Sequence, residues 1–275
     1  MNTRKKTVFI SGSSSGIGME TALLFLEKGW NVVATMRHPE NRKTPLHEKG
    51  FSDLVHMDVN DRDSIQSAVS FAVDKYHQID VLVNNAGFAV YGPFEAVTRE
   101  QIACQYNTNV FGLMEVTREL IPNFRRQKHG VILNVSSVGG QTGFPLYSIY
   151  NSTKWAVEGF SESLRFELRA CNIKVRLIEP GVILTDFYSR SMEKVECGEL
   201  EPVYREAMIR GAARQSGEGL RGGYSPRLVA ETIFRAATDP GWRLRYRAGA
   251  DARLVSFARW LLPQSVYFKI LEKHF

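Results

Sequence analysis

Thr7-Val-Phe-Ile-Ser-Gly-Ser-Ser-Ser-Gly-Ile-Gly18 begins as a short apolar run and opens into a loop of glycine and serine. So continuous an apolar run predicts a strand covered on both faces. Behind the loop, Met19 to Lys28 carries apolar residues at helical spacing and is closed by Gly29. Glycines at 12, 16 and 18 allow a tight turn and close backbone approach, and the helix N-terminus offers unpaired N–H groups to a diphosphate. Gly12, Ser14, Ser15, Gly16, Ile17 and Gly18 are therefore candidate contacts for a dinucleotide. The spacing, Gly-x-x-x-Gly-x-Gly, is not the Gly-x-Gly-x-x-Gly of most dinucleotide folds, and a plain flexible turn would read the same in isolation. The strand before it and the helix after it weigh against that reading.

The same alternation continues along the chain. Asn31 to Met36, Asp53 to Asp58, Ile79 to Asn84, Val131 to Val135 and Ile173 to Ile178 read as strands. Asp61 to Tyr76, Thr98 to Lys128 and Tyr150 to Ala170 fill the intervals as helices, with Pro122 marking a break or bend in the second. Repeated strand-helix-strand units predict an α/β fold, a doubly wound parallel sheet of about seven strands with helices on both faces. No low-complexity linker divides residues 1–275, so one catalytic domain is expected. Residues 186–223 are polar, glycine-containing and weakly periodic, which predicts a mobile helical flap. Trp242 to Ala248 reads as a late strand, and a C-terminal extension over 250–275 as an aromatic-rich helix or pair of helices.

A chain of 275 residues, 44% hydrophobic and 23% charged, can bury a substantial core without disulfides or metals. No apolar run approaches the roughly 20 residues needed to cross a bilayer. The basic start, Met1 to Lys6, is followed by too short an apolar run for a cleaved leader, and a cytoplasmic location is expected. Cys104, Cys171 and Cys197 read as free thiols of a reducing compartment, and no metal site is expected. The net charge of +6 is concentrated late: from Gly241 onward seven basic residues face Asp251 and Glu272 alone. A solvated basic face is the plain reading, and peripheral contact with an acidic membrane surface or an anionic substrate the sharper one. No nucleic-acid motif accompanies the charge.

At the end of the second strand an acidic residue would bind the adenosine ribose and repel a 2′-phosphate. This chain has Met36-Arg37, and a cation there would pair with that phosphate, which favours NADP(H). Ser14 and Ser15 could donate further bonds to it. Asp58, with Val59 after it, is placed to meet the adenine, or Asp58 caps the helix beginning near Asp61.

Tyr150-Asn151-Ser152-Thr153-Lys154 sets a phenol and an ammonium on one helix face. A free tyrosine has a pKa near 10, and a neighbouring cation is expected to lower it towards a useful acid–base range. Ser137, just beyond the strand Val131 to Val135, would hydrogen-bond a substrate carbonyl and hold it against Tyr150. It could instead cap a turn, and Ser136 is the competing hydroxyl.

Ser11 to Gly18, Asn84-Asn85-Ala86-Gly87, Asn109-Val110-Phe111-Gly112, Ser137, Tyr150-x-x-x-Lys154 and Pro180-Gly181-x-x-x-Thr185 stand in the order and spacing of the short-chain dehydrogenase/reductase family, which residues 5–185 resemble. Each motif is common and the combination is specific. Ser11 replaces the usual threonine and keeps its hydroxyl. Ser15 stands where many NADP enzymes carry a basic residue, which leaves Arg37 as the main 2′-phosphate anchor. The resemblance implies a Rossmann-type fold, with Ser137, Tyr150, Lys154 and Asn109 as the catalytic set. Asn109 would hold a water linking Lys154 to solvent, and Lys154 would also hold the nicotinamide ribose. Asn85, Ala86 and Gly87 would pack along the cofactor, with Pro180, Gly181, Val182 and Thr185 on the nicotinamide side. Homodimers or homotetramers are implied.

The expected reaction is hydride transfer to a ketone or aldehyde, with Tyr150 as acid. Phe88, Val90, Tyr91, Phe144, Leu146, Tyr147, Phe187 and Tyr188 suggest a hydrophobic, steroid-like or aromatic substrate, in keeping with a resemblance to the hydroxysteroid and retinol dehydrogenase branch. An NAD(P)-dependent alcohol dehydrogenase working oxidatively is one alternative. A non-catalytic NADP-sensing regulator is another, and the presence of Tyr150, Lys154 and Ser137 argues against it.

Overall fold

The computed structural model describes residues 4–41, 44–48, 53–215 and 222–274; residues 1–3 of the basic start, 216–221 of the expected flap and Phe275 lie outside the described residues. The decisive apolar run forms strand β1 (Thr7–Ile10), buried at every position, and its loop leads into helix α1 (Gly16–Glu27). In chain order there follow β2 (Asn31–Met36), α2 (Pro45–Glu48), β3 (Leu54–His56), α3 (Arg62–Tyr76), β4 (Val81–Asn84), β5 (Ala89–Tyr91), α4 (Arg99–Tyr106) and α5 (Leu113–Gln127). The second half runs β6 (Gly130–Val135), α6 (Ser148–Leu168), β7 (Ile173–Pro180), α7 (Phe187–Arg190), β8 (Met192–Lys194), α8 (Glu201–Arg214), α9 (Pro226–Thr238), β9 (Arg245–Ala248), α10 (Ala250–Leu261) and α11 (Gln264–His274).

Seven strands make one sheet in the order β3-β2-β1-β4-β6-β7-β9, and every pairing is parallel. Successive strand residues face opposite sides. Val8 and Ile10 therefore join α1 and α9 through Phe25, Val229 and Ile233 in one buried cluster. Phe9 and Val33 join α3, α5 and α6 through Ile65, Leu120, Phe124 and Leu164 in the other. Strand order reverses between β1 and β4, and α/β sheets of this kind bind ligands in the crevice beyond the strand ends at such a point.

Two expectations need correction, the third strand and the long helix. The third strand spans Leu54–His56 and not Asp53 to Asp58; Asp53 is drawn off to Lys75 and the Tyr76 hydroxyl. The long helix over 98–128 is interrupted by a π-turn at Asn107–Gly112, whereas Pro122 sits inside α5. The carbonyl that Pro122 leaves without an intrahelical donor belongs to exposed Arg118, so the helix continues past it. The terminal extension is a pair of helices divided at Leu262 and Pro263. The three cysteines are free thiols.

Arg176 on β7 is wholly buried, which is costly for a cation unless its donors find partners; the two terminal nitrogens do, and Nε does not. Its guanidinium donates to the carbonyls of Ala236, Asp239 (2.7 Å) and Gly241 (2.6 Å), closing the C-terminal end of α9 against the sheet. Arg176→Ala leaves these carbonyls unpaired and is expected to lower unfolding free energy by about 2–4 kcal/mol in urea titration. A loss below about 0.5 kcal/mol would mean the carbonyls find water instead.

Candidate active site

A cleft of about 740 Å³ opens at the C-terminal ends of the strands. At one end the loop after β1 turns through Gly12, whose φ of +69° suits glycine. A Cβ at Gly12 would stand 2.8 Å from the Ala86 Cα, so only hydrogen lets β1 and β4 approach this closely. Ser11 Oγ accepts from the N–H groups of Asn85 (3.0 Å) and Ala86 (3.2 Å), as the retained hydroxyl requires. Asn85 Nδ2 donates back to the Ser11 and Gly12 carbonyls. Its side chain therefore braces the turn, while Asn85, Ala86 and Gly87 line the cleft. Gly18 does not line it; its place is under the turn, where a Cβ would strike the Gly12 carbonyl.

Ser14, Ser15, Gly16 and Ile17 line the cleft at the start of α1, where helix N–H groups have no intrahelical partner. Arg37 and Asp58 stand on its rim with Val59. Among the described residues no carboxylate pairs with Arg37, whose backbone carbonyl meets His56 Nδ1 at 2.6 Å. Asp58 is not the cap of α3: Asp61 fills that role, accepting from Asp63 N–H at 3.0 Å, and Asp58 accepts from Asn60 N–H at 2.9 Å.

At the other end Tyr150 and Lys154 stand one turn apart on α6, with the Lys154 Nζ 5.6 Å from the centre of the Tyr150 ring. The Nζ donates to the Val135 carbonyl at 2.9 Å, which ties α6 to the end of β6. Ser137 serves two purposes. Its Oγ accepts from Gly139 N–H at 3.0 Å, capping the turn Val138–Gly140, and it lines the cleft with Tyr150, close enough to act on the phenol. Ser136 is buried beside Glu158, so the more distal hydroxyl is the one at the phenol.

Asn109 does not line the cleft. It sits in the π-turn with its side chain fully engaged, Nδ2 donating to Phe88 O (2.8 Å) and Thr153 Oγ1 (3.1 Å), and Oδ1 accepting from Phe88 N–H (3.0 Å). Pro180, Gly181, Val182 and Thr185 line the cleft opposite, Thr185 Oγ1 accepting from Phe187 N–H at 3.2 Å. Asp251 of α10, for which sequence reading offers no signal, accepts from Val182 N–H at 2.6 Å and so fixes this wall.

Of the expected substrate walls, Phe88, Tyr91, Phe144, Leu146, Tyr147, Phe187 and Tyr188 line the cleft; Val90 points into the fold. Tyr91, Tyr147, Tyr150, Phe187 and Tyr188 follow one another edge to face, with centroids 4.8–6.0 Å apart. Residues 186–215 add Arg190, Met192, Ala207, Gly211 and Gln215 to the walls, from α7, β8, α8 and the residue just beyond it.

Burial governs the ionisable groups. It pushes the Tyr150 phenol up to about 12, against the opposing influence of the Ser137 hydroxyl, and the Tyr188 phenol adds to the rise. The expectation that Lys154 makes this phenol more acidic is not met, because loss of hydration outweighs the cation 5.6 Å from the ring. Burial likewise drives the Lys154 ammonium down to about 8, with Glu158 opposing. Glu158 rises to about 7 through burial and the nearby Glu179 carboxylate, with Ser136 and Arg245 opposing. The phenol therefore stays protonated near neutrality, and the ammonium is the group within reach of losing a proton.

The family profile for short chain dehydrogenases matches residues 6–196. The chain belongs to that family. The uncharacterized oxidoreductase YusZ of Bacillus subtilis is 39% identical over 283 residues, covering 98% of this dehydrogenase chain and 98% of its own. A 3-ketodihydrosphingosine reductase of Bacteroides thetaiotaomicron is 32% identical and covers 92% of each chain. The crystal structure of a short-chain dehydrogenase from Streptomyces avermitilis superposes with a TM-score of 0.85 at 30% identity, over 98% of this chain and 96% of that one. Other solved neighbours hold a nicotinamide dinucleotide. ElxO was solved with NADP (26% identity, TM-score 0.73, over 91% and 99% of the two chains). A 3-ketoacyl-(acyl-carrier-protein) reductase from Brucella melitensis was solved with NADH (25%, TM-score 0.71, over 90% and 100%).

Lys154 has a direct thermodynamic signature. Its folded pKa, about 8, lies below the ordinary 10.5, so between these values the unfolded chain binds more protons and stability rises with pH. Unfolding titrations across that window should show wild type gaining about 1–3 kcal/mol relative to Lys154→Met. Parallel curves for the two proteins would contradict the buried-ammonium assignment.

Proposed function

We propose that this short-chain dehydrogenase is an NADPH-dependent reductase of hydrophobic ketones or aldehydes. One observation carries the reading: a phenol held neutral by lost hydration stands with Ser137 and Lys154 in the same cleft as a glycine turn shaped for a diphosphate. The chain's residues fit the dinucleotide. Hydrogen at Gly12 leaves backbone room, the start of α1 supplies N–H donors, and Arg37 supplies a cation for a 2′-phosphate. Bound NADPH would supply the hydride.

The remaining chemistry belongs to the protein. Tyr150 gives its proton to the oxygen of the reduced carbonyl, and Ser137 stabilises the charge developing there. A phenol kept neutral by burial is poised to donate. Lys154, pushed down to about 8, can then return a proton to Tyr150. Because the Asn109 side chain is fully engaged, a water relaying protons to Lys154 would rest on the main chain of the π-turn, where i→i−4 pairing lapses. The aromatic wall favours an apolar substrate, in accord with a relative named as a 3-ketodihydrosphingosine reductase.

NADPH oxidation against a panel of ketones, aldehydes and quinones tests this reading. Tyr150→Phe should reduce turnover at least ~10²-fold with NADPH affinity nearly unchanged. Arg37→Asp should shift preference towards NADH by about tenfold or more. Full turnover in the first variant would remove Tyr150 from its role, and unchanged cofactor preference in the second would remove Arg37.

A further inference from the structure

Helix α10 turns its small residues inward and its large apolar residues outward. Ala252 and Ser256 are buried against the protein, whereas Leu254 (67% exposed), Phe257 (55%), Trp260 (79%) and Leu261 (56%) face away from it. Leu254, Phe257 and Leu261 follow one line along the helix, with Trp260 and Arg253 beside it. Such a face is the reverse of an ordinary surface helix, whose outer side is polar. Helix α11, packed against α10, also exposes Val266, Lys269 and Lys273. The two helices are locked together by Arg259, whose guanidinium lies 5.3 Å from the Tyr267 ring centre and 5.2 Å from that of Phe268.

The charge on this face is predominantly positive. Of the two acids on these helices, Asp251 is turned inward to Val182 N–H, which leaves Glu272 against Arg253, Arg259, Lys269 and Lys273. A second copy docking about a two-fold axis would set these cations against themselves. An anionic surface would meet them favourably, and tryptophan, phenylalanine and leucine rimmed by lysine and arginine suit the headgroup boundary of a bilayer. Among the described residues no helix is long and apolar enough to cross a membrane.

We propose that the outer face of α10 and α11 seats the protein on an anionic lipid bilayer surface. The face is coupled to the cleft. Asp251 holds Val182 at one wall, and the Tyr267 hydroxyl bonds Thr142 at 2.9 Å, just ahead of the segment that carries Phe144 and Tyr147. Leu254 to Leu261 lie roughly 5–15 Å along the helix axis from Asp251. Docking therefore brings the aromatic cleft next to the lipid phase, where apolar carbonyl compounds concentrate.

Co-sedimentation with vesicles of phosphatidylcholine, and of phosphatidylcholine carrying phosphatidylserine as a quarter of its lipid, tests the proposal without reference to turnover. The full chain should pellet with the anionic vesicles and be released by salt. Phe257→Glu combined with Trp260→Glu should weaken binding at least about tenfold. Arg253→Glu combined with Lys269→Glu should weaken it on anionic vesicles while leaving the melting midpoint and NADPH affinity as in wild type. The proposal is overturned if wild type stays in solution with both vesicles, or if either variant binds as wild type does. It is equally overturned if light scattering shows the apolar face consumed in a dimer that the first variant dissociates.

Discussion

The closeness of two backbones at the centre of the sheet is the constraint on which the rest depends. Gly12 and Ala86 meet where strand order reverses, and any side chain at residue 12 would force β1 and β4 apart. Hydrogen bonds from Asn85 and Ala86 to Ser11 hold the approach. A buried polar chain carries it across the sheet: Asn84 donates to Thr117 and Asn134, and Asn134 donates to Ser161 on α6. That chain links the glycine-turn end of the cleft to the helix bearing Tyr150 and Lys154. Fully buried polar contacts of this kind tolerate few geometries, which is how one loop and one helix keep their relative positions.

Burial then sets the chemistry. Tyr150, Lys154 and Glu158 are each displaced towards neutrality by lost hydration, and Glu179 likewise despite Arg245 and Arg247. In the mechanism proposed above, a phenol that does not ionise and an ammonium that readily gives up a proton form an acid with its own supply. The cation beside the phenol contributes less by lowering its pKa than by standing within reach of it.

Much of the architecture was legible in the chain because strand and helix periodicity alternate cleanly through Pro180. The cofactor turn, Arg37, Ser137, Tyr150 and Lys154 all reach one cleft, since parallel strands send every C-terminal loop to the same edge. What stayed hidden depended on contacts distant in sequence. The π-turn is sustained by Asn109 bonding Phe88 and Thr153, so proline, the visible irregularity, drew attention instead. Helix α9 lacked an expectation even though Ser225-Pro226 opens it and Val229, Ile233 and Ala236 repeat at helical spacing. The pairing of β5 with β8 joins segments 103 residues apart and too short for a period to show. Asp251 acts on Val182 only because α10 folds back over the sheet edge.

A crystal structure with NADPH is the most direct measurement. It should place the diphosphate at the start of α1, the 2′-phosphate within hydrogen-bond distance of Arg37, and the nicotinamide ring between Val182 and the Tyr150 hydroxyl. A nicotinamide ring lodged away from Tyr150 and Lys154, or a dinucleotide bound outside this cleft, would contradict the account.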